Sequence, residues 1–259
     1  MPTLASTQAG TGLPLVFLHA FPLSREMWAP HRPFFSKHFQ FISFDLPGFG
    51  GSKPLGDTSS MEGMADAVLQ SLDSLGIKEP FVCAGLSMGG YVLLQLLKKA
   101  PERLRGVVLV STRATADTAE ARSRRFKMIE RVNQEGLGSL SEIMLPSLLG
   151  ASSFHGRPEL VDQVRQWIRT GQLEGVLAAL RGMAERPDLS HLLTSMPVPA
   201  LVLNGAEDKA TPLAEMTEMA RQIAGAPFHS LPSAGHLLSL EQPDIFGDLV
   251  VRFLQRSVL

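Results

Sequence analysis

The chemistry of this chain concentrates at Gly85-Leu86-Ser87-Met88-Gly89-Gly90. A serine with glycine two residues away on either side follows an apolar run (81–85) and precedes a helical pattern (88–100). Glycine lacks a Cβ, so strand and helix can close on each other at such a turn, and the hydroxyl projects from its tip. A serine hydroxyl is a weak nucleophile near neutral pH and needs a base. His236, in Pro232-Ser233-Ala234-Gly235-His236, can supply one. An acid to orient that imidazole is available in Asn204-Gly205-Ala206-Glu207-Asp208-Lys209-Ala210-Thr211-Pro212, as Asp208 or its neighbour Glu207. Taken singly these are a joining loop, a solvated histidine and a turn former. Together, each just past an apolar run, they read as a nucleophile with its base and acid, the apparatus of two-step acyl transfer.

Acyl transfer places a full negative charge on oxygen, and losing one preorganised N–H donor there costs roughly 3–4 kcal/mol. The N–H of Met88, at the start of a helix, is one predicted donor. The N–H of Phe21, in His19-Ala20-Phe21-Pro22 after the first apolar run, is the other. His19 is read as shaping that loop, and Asp45, in Asp45-Leu46-Pro47-Gly48-Phe49-Gly50-Gly51-Ser52, as shaping a sharp return. Cys83 falls mid-run, where a small thiol packs well.

Six short apolar runs position these residues: 15–19, 40–45, 81–85, 107–110, 200–204 and 227–231. Helical patterns separate them at 61–75, 88–100, 212–224 and 245–254. Apolar strands alternating with helices indicate a mostly parallel sheet covered on both faces, and catalytic groups of such sheets gather at the carboxyl ends of strands. The alternation lapses between 114 and 191, where helical patterns (119–135, 139–149, 158–170, 173–185) run without a strand. Six arginines fall between Arg113 and Arg157, which sets this stretch apart in composition. It is read as a helical cap inserted after the fourth predicted strand, dividing the core into 1–113 and 192–259. Met128, Leu140, Met144, Leu145 and Trp167 of the insertion, with Trp28 and Leu237, are predicted to line a substrate pocket above Ser87 and to suit an acyl or aryl group.

Lys+Arg 24 against Asp+Glu 25 gives a net charge of -1, which removes the electrostatic case for nucleic acid or an anionic membrane surface. A single cysteine rules out a disulfide framework and a Cys-based structural zinc site. Residues 1–12 lack a basic n-region and an apolar h-region. No run reaches 18 apolar residues, so no membrane span is expected. The expectation is a cytoplasmic protein, monomer or homodimer, acting on a small molecule without metal or organic cofactor.

These motifs, in this order over residues 15 to about 245, make the chain resemble the α/β-hydrolase superfamily. The resemblance is to small capped serine esterases near the cofactor-free haloperoxidase/perhydrolase and enol-lactonase-like branches. It implies Ser87 as nucleophile, His236 as base, Asp208 rather than Glu207 as acid, and an oxyanion hole at Phe21 and Met88. It implies hydrolysis of short- or medium-chain acyl or aryl esters. Lactone hydrolysis and perhydrolysis are the related alternatives, and a slow-turnover ligand receptor on the same fold is the alternative of another class. Dehalogenases and epoxide hydrolases of the superfamily carry aspartate where this chain has Ser87. Only 14 residues precede Leu15, so the first strand or two of the usual eight-stranded sheet are expected to be missing or short.

Overall fold

The computed structural model describes residues 3–259. Its strands are β1 (Ser6–Ala9), β2 (Pro14–Leu18), β3 (Gln40–Phe44), β4 (Phe81–Leu86), β5 (Leu104–Val110), β6 (Ala200–Gly205) and β7 (Phe228–Leu231). Its helices are α1 (Arg32–Phe35), α2 (Met61–Ser74), α3 (Met88–Lys99), α4 (Ala119–Glu135), α5 (Leu137–Leu148), α6 (Ala151–Gly156), α7 (Pro158–Arg169), α8 (Leu173–Ala184), α9 (Leu213–Gln222), α10 (Leu238–Glu241) and α11 (Pro243–Ser257).

The strands form one seven-stranded sheet in the order β1-β3-β2-β4-β5-β6-β7. β1 runs antiparallel to β3, and the remaining pairs are parallel. Every residue of β2, β4 and β6 is buried. Side chains alternate between the two faces of a strand, so burial throughout means that helices cover both faces. This is why these strands read as unbroken apolar runs.

β1 and the short helices α1, α6 and α10 have no counterpart among the predicted elements. β1 is four residues long, polar and only partly buried at the sheet edge. It lacks the apolar run that marks the interior strands, and it supplies the short leading strand that the N-terminal segment had room for. The six residues of α6 sit between Gly150 and Arg157, too few turns to show a helical period. The longer helices follow the sequence pattern closely, while α1 and α10, four residues each, are too short to show a period. α2 begins where the Ser60 hydroxyl accepts the Gly63 N–H, and α4 where Thr118 does the same for Ala121.

Five helices, α4 to α8, occupy the interval between β5 and β6. They pack mainly on one another, α4 against α5 and α8, and α7 against α5 and α6. The sheet register fixes where the loops emerge. Leu18 of β2 pairs with Gly85 of β4, Gly85 with Leu109 of β5, Leu109 with Val202 of β6, and Gly205 with Leu231 of β7. The loops after β2, β4, β5, β6 and β7 therefore leave the same edge of the sheet, and they carry Phe21, Ser87, Arg113, Asp208 and His236.

Candidate active site

Ser87 stands between β4 and α3 at φ 54° and ψ -110°. A non-glycine residue there carries strain on the order of 1–3 kcal/mol and persists only where its surroundings over-determine it. The surroundings do so. The Ser87 N–H donates to Val110 O at 2.9 Å, and Thr112 Oγ1 donates to Ser87 O at 2.8 Å. A Cβ on Gly85 would stand 2.4 Å from Gly89 O, and a Cβ on Gly89 2.2 Å from Leu18 O. Both glycines are therefore demanded by backbone-to-backbone approach, which is what makes the turn sharp enough to present the hydroxyl.

The loop after β6 places the buried Asp208 beside the buried His236. His236 Nδ1 lies 2.9 Å from Asp208 Oδ2 and 3.1 Å from Oδ1. Asp208 Oδ1 also accepts the N–H groups of Ala210 and Thr211, each at 2.8 Å. Burial pushes the Asp208 carboxyl up, but the His236 charge, its hydrogen bond and the Thr211 N–H outweigh that and hold it below the usual carboxylate range. An ionised Asp208 keeps the proton of neutral His236 on Nδ1 and leaves Nε2 as an acceptor. Glu207 points elsewhere. Ser152 Oγ donates to its Oε1 at 2.5 Å and the Ser152 N–H to its Oε2 at 2.9 Å. Of the two candidate acids, Asp208 is the one that meets the imidazole.

A second buried carboxylate, Glu241, braces the histidine loop. It accepts the N–H of Gly235 at 2.8 Å, the N–H of Gly150 at 2.8 Å and the hydroxyl of Ser153 at 2.7 Å. The Leu237 N–H donates to Leu148 O at 2.9 Å. The residues on either side of His236 are thus tied to the segment around α6.

Ser87 and His236 line one cavity of about 130 Å³. Among the described residues no hydrogen bond links the two side chains. The N–H groups of Phe21 and Met88 are likewise free of hydrogen bonds among the described residues, as the first N–H of a helix must be for Met88. His19 is fully buried, and both its nitrogens are engaged by backbone: Nδ1 with Ala20 O at 3.0 Å and Nε2 with the Leu46 N–H at 2.9 Å. Burial lowers its pKa to about 4. It is neutral and shapes the loop that carries Phe21. Asp45 is used in the same way by the N–H groups of Arg25 and Gly51.

Of the seven predicted pocket residues, Met144 lines this cavity. Trp28 does not. It is fully buried in the core against Phe17, His31 and Phe246, with ring centroids 5.0, 5.7 and 5.9 Å away. Leu140, Leu145 and Leu237 are core residues and Met128 packs on the core. Trp167 borders a separate groove with Pro30 and Leu160. Helical spacing marks these side chains as buried without telling which buried surface faces Ser87. The cavity is completed instead by Tyr91, Arg113, Arg125, Ser147, Leu148, Met183, Ala210 and Thr211. The arginine enrichment after residue 113 marks the insertion in the sequence but does not tell which arginines border the cavity. A larger groove of about 590 Å³ runs between residues 113–124 and α9, shares Arg113 with the cavity and does not reach Ser87. Among the described residues no three His, Cys, Asp or Glu side chains cluster as metal ligands, and no helix is long and apolar enough to cross a membrane.

The alpha/beta hydrolase family model matches residues 15–249. A 3-oxoadipate enol-lactonase of Acinetobacter baylyi is 26% identical over 93% of this chain and 88% of its own. Among solved structures, a thermophilic esterase from Thermogutta terrifontis superposes with a TM-score of 0.96 at 41% identity, covering 99% of this chain and 94% of that one. The enol-lactonase of Burkholderia xenovorans superposes at 0.89 with 29% identity, covering 98% and 96%.

Proposed function

The chain belongs to the alpha/beta hydrolase family, and we propose that within it this protein is a serine esterase acting on short-chain esters. One arrangement carries the reading. A strained serine at a strand-to-helix turn shares a small cavity with a histidine whose far nitrogen is held by a buried carboxylate. His236 Nε2 takes the Ser87 proton as Oγ attacks the ester carbonyl. The N–H groups of Phe21 and Met88 receive the oxyanion. His236 then protonates the departing alkoxide, and water hydrolyses the acyl-enzyme by the same route. Asp208 fixes the imidazole tautomer and stabilises its charged form.

The helical segment 114–191 acts as a cap, since Arg125, Met144, Ser147, Leu148 and Met183 border the cavity from helices α4, α5 and α8. The cavity is small, about 130 Å³, which fits a short acyl group better than a long chain. The structural likeness at 41% identity to an esterase supports ester hydrolysis. Lactone opening is the second reading, supported by the enol-lactonase relatives. It is the same chemistry with the alcohol tethered to the acyl group.

Hydrolysis of 4-nitrophenyl acetate and butyrate by wild type and Ser87→Ala tests the reading. Wild type turns both over, and the variant loses about a thousandfold or more in kcat. Equal rates would remove Ser87 from the chemistry. A lactone panel on the same preparations separates the two readings.

A further inference from the structure

The cavity beside Ser87 is lined by two arginines and no carboxylate. Arg125, on α4, pairs through Nε with Asp117 Oδ2 at 2.5 Å, and Arg186 pairs through Nη1 with Asp117 Oδ1 at 2.5 Å. Asp117 and Arg186 are almost wholly buried. Burial pushes the Asp117 carboxyl up, but its two arginine partners outweigh that and hold it below the usual range, so it is ionised. One carboxylate thus serves two guanidinium groups, and the cluster keeps a full positive charge. Of its members, Arg125 is the one that faces the cavity. Its Nη1 has only the Met183 sulfur as a partner, at 3.5 Å. A thioether is a weak acceptor, and this donor on a charged group is available for a better one.

Arg113 is the second arginine of the lining. Its Nη2 bonds Ala210 O at 2.7 Å and pairs with the half-exposed Glu215 at 3.0 Å, while its buried Nε has no partner. Buried N–H groups without partners are unusual, and charged ones more so. Asp208 is occupied by His236, Ala210 and Thr211. A cluster of net positive charge, and two arginines with N–H donors lacking a strong partner, therefore border the small cavity that Ser87 and His236 line.

We propose that this charge recognises a carboxylate on the substrate. The preferred esters carry a free acid group a few carbons from the reacting carbonyl, and Arg125, with Arg113, selects them. The inference rests on the esterase reading and deepens it. The reaction is ordinary hydrolysis: water supplies OH to the acyl carbon and H to the alkoxide, while the second carboxylate stays intact. Guanidinium–carboxylate bonds are the strong charge-assisted kind, so the preference is large enough to measure.

The test compares monoethyl succinate with ethyl butanoate, and acetoxyacetate with propyl acetate, by alkali uptake in a pH-stat at pH 7.5. The first pair puts the carboxylate on the acyl side and the second on the alcohol side. In at least one pair the kcat/KM ratio, anionic over neutral, is about tenfold or more in wild type. It falls toward one in Arg125→Gln, recovers in part in Arg125→Lys, and falls with added salt as a charge interaction must. Arg125→Gln leaves Asp117 paired with Arg186, so the folded chain survives the change. As a second measurement, succinate inhibits ethyl butanoate hydrolysis competitively in wild type. Ratios near or below one in both pairs, or ratios that Arg125→Gln leaves unchanged, would overturn the inference while ester hydrolysis itself stands. If wild type hydrolyses no ester, the esterase reading fails separately. Calorimetric titration of succinate into wild type and Arg125→Gln then decides the anion site: binding lost in the variant upholds it, and no binding in wild type ends it.

Discussion

Asp208→Asn tests the acid's role through a constraint that the structure imposes on the amide. Asp208 Oδ1 accepts two main-chain N–H groups, from Ala210 and Thr211, each at 2.8 Å. An amide NH2 in that place would set donor against donor. The asparagine must therefore keep its oxygen there and turn its NH2 toward His236 Nδ1, which lies 2.9 Å from the position of Oδ2. The ring must then accept at Nδ1 and carry its proton on Nε2, the nitrogen that has to receive the Ser87 proton. Side-chain volume hardly changes, so the fold is retained. An exchange of this kind in another serine hydrolase triad lowers kcat about 10⁴-fold through the wrong tautomer, which is about 5 kcal/mol of barrier. The same magnitude is expected here, with KM little altered, in initial-rate assays on 4-nitrophenyl acetate at pH 8. Glu207→Gln is the control, because Glu207 holds Ser152 and does not meet His236. Asp208→Asn within about tenfold of wild type, with Glu207→Gln collapsing instead, would refute the assignment of the acid.

Three other outcomes follow from the same coordinates. Gly89→Ala drives a Cβ to 2.2 Å from Leu18 O. Backbone cannot yield there without moving β2 or the elbow, so the expected result is a loss of about 100-fold in kcat/KM, with thermal stability lowered as well. His19 and His31 are both lowered by burial to about 4 in the folded chain. Unfolded, each takes up its proton near 6.5, so their contribution is complete above that pH and lost as pH falls toward 4. At about 1.4 kcal/mol per tenfold difference, each ring withdraws roughly 3 kcal/mol, and urea midpoints at pH 7, 5.5 and 4.5 should fall in that order. Cys83 is fully buried and its thiol is pushed up by burial. Ellman's reagent should find no reactive thiol in the native protein and one per chain in guanidinium.

The interior of the fold was legible because β2, β4 and β6 are buried on both faces and so read as unbroken apolar runs. Parts of the candidate site were legible because Gly85 and Gly89 are fixed by backbone approach and because Asp208 and His236, which meet in the folded chain, follow strands β6 and β7. β1 was hidden by its polarity and brevity at the sheet edge. The pocket was not legible for a different reason. Apolar period separates buried from exposed, but Trp28 packs into the core against Phe17, His31 and Phe246 whereas Met144 on α5 borders the cavity, and which space a side chain faces is set by how the elements pack in three dimensions. Arg125 illustrates the converse. On a helix as polar as α4 an arginine reads as solvated surface, and only the folded chain places it beside Asp117 and Ser87.

The account stands on Ser87 as the atom that is acylated. Treating the native protein with a fluorophosphonate and mapping the labelled peptide by mass spectrometry tests this directly. The account predicts one label per chain, on Ser87, with labelling abolished in Ser87→Ala and strongly slowed in His236→Gln. A label on another residue, or Ser87→Ala labelling at the rate of wild type, would contradict it.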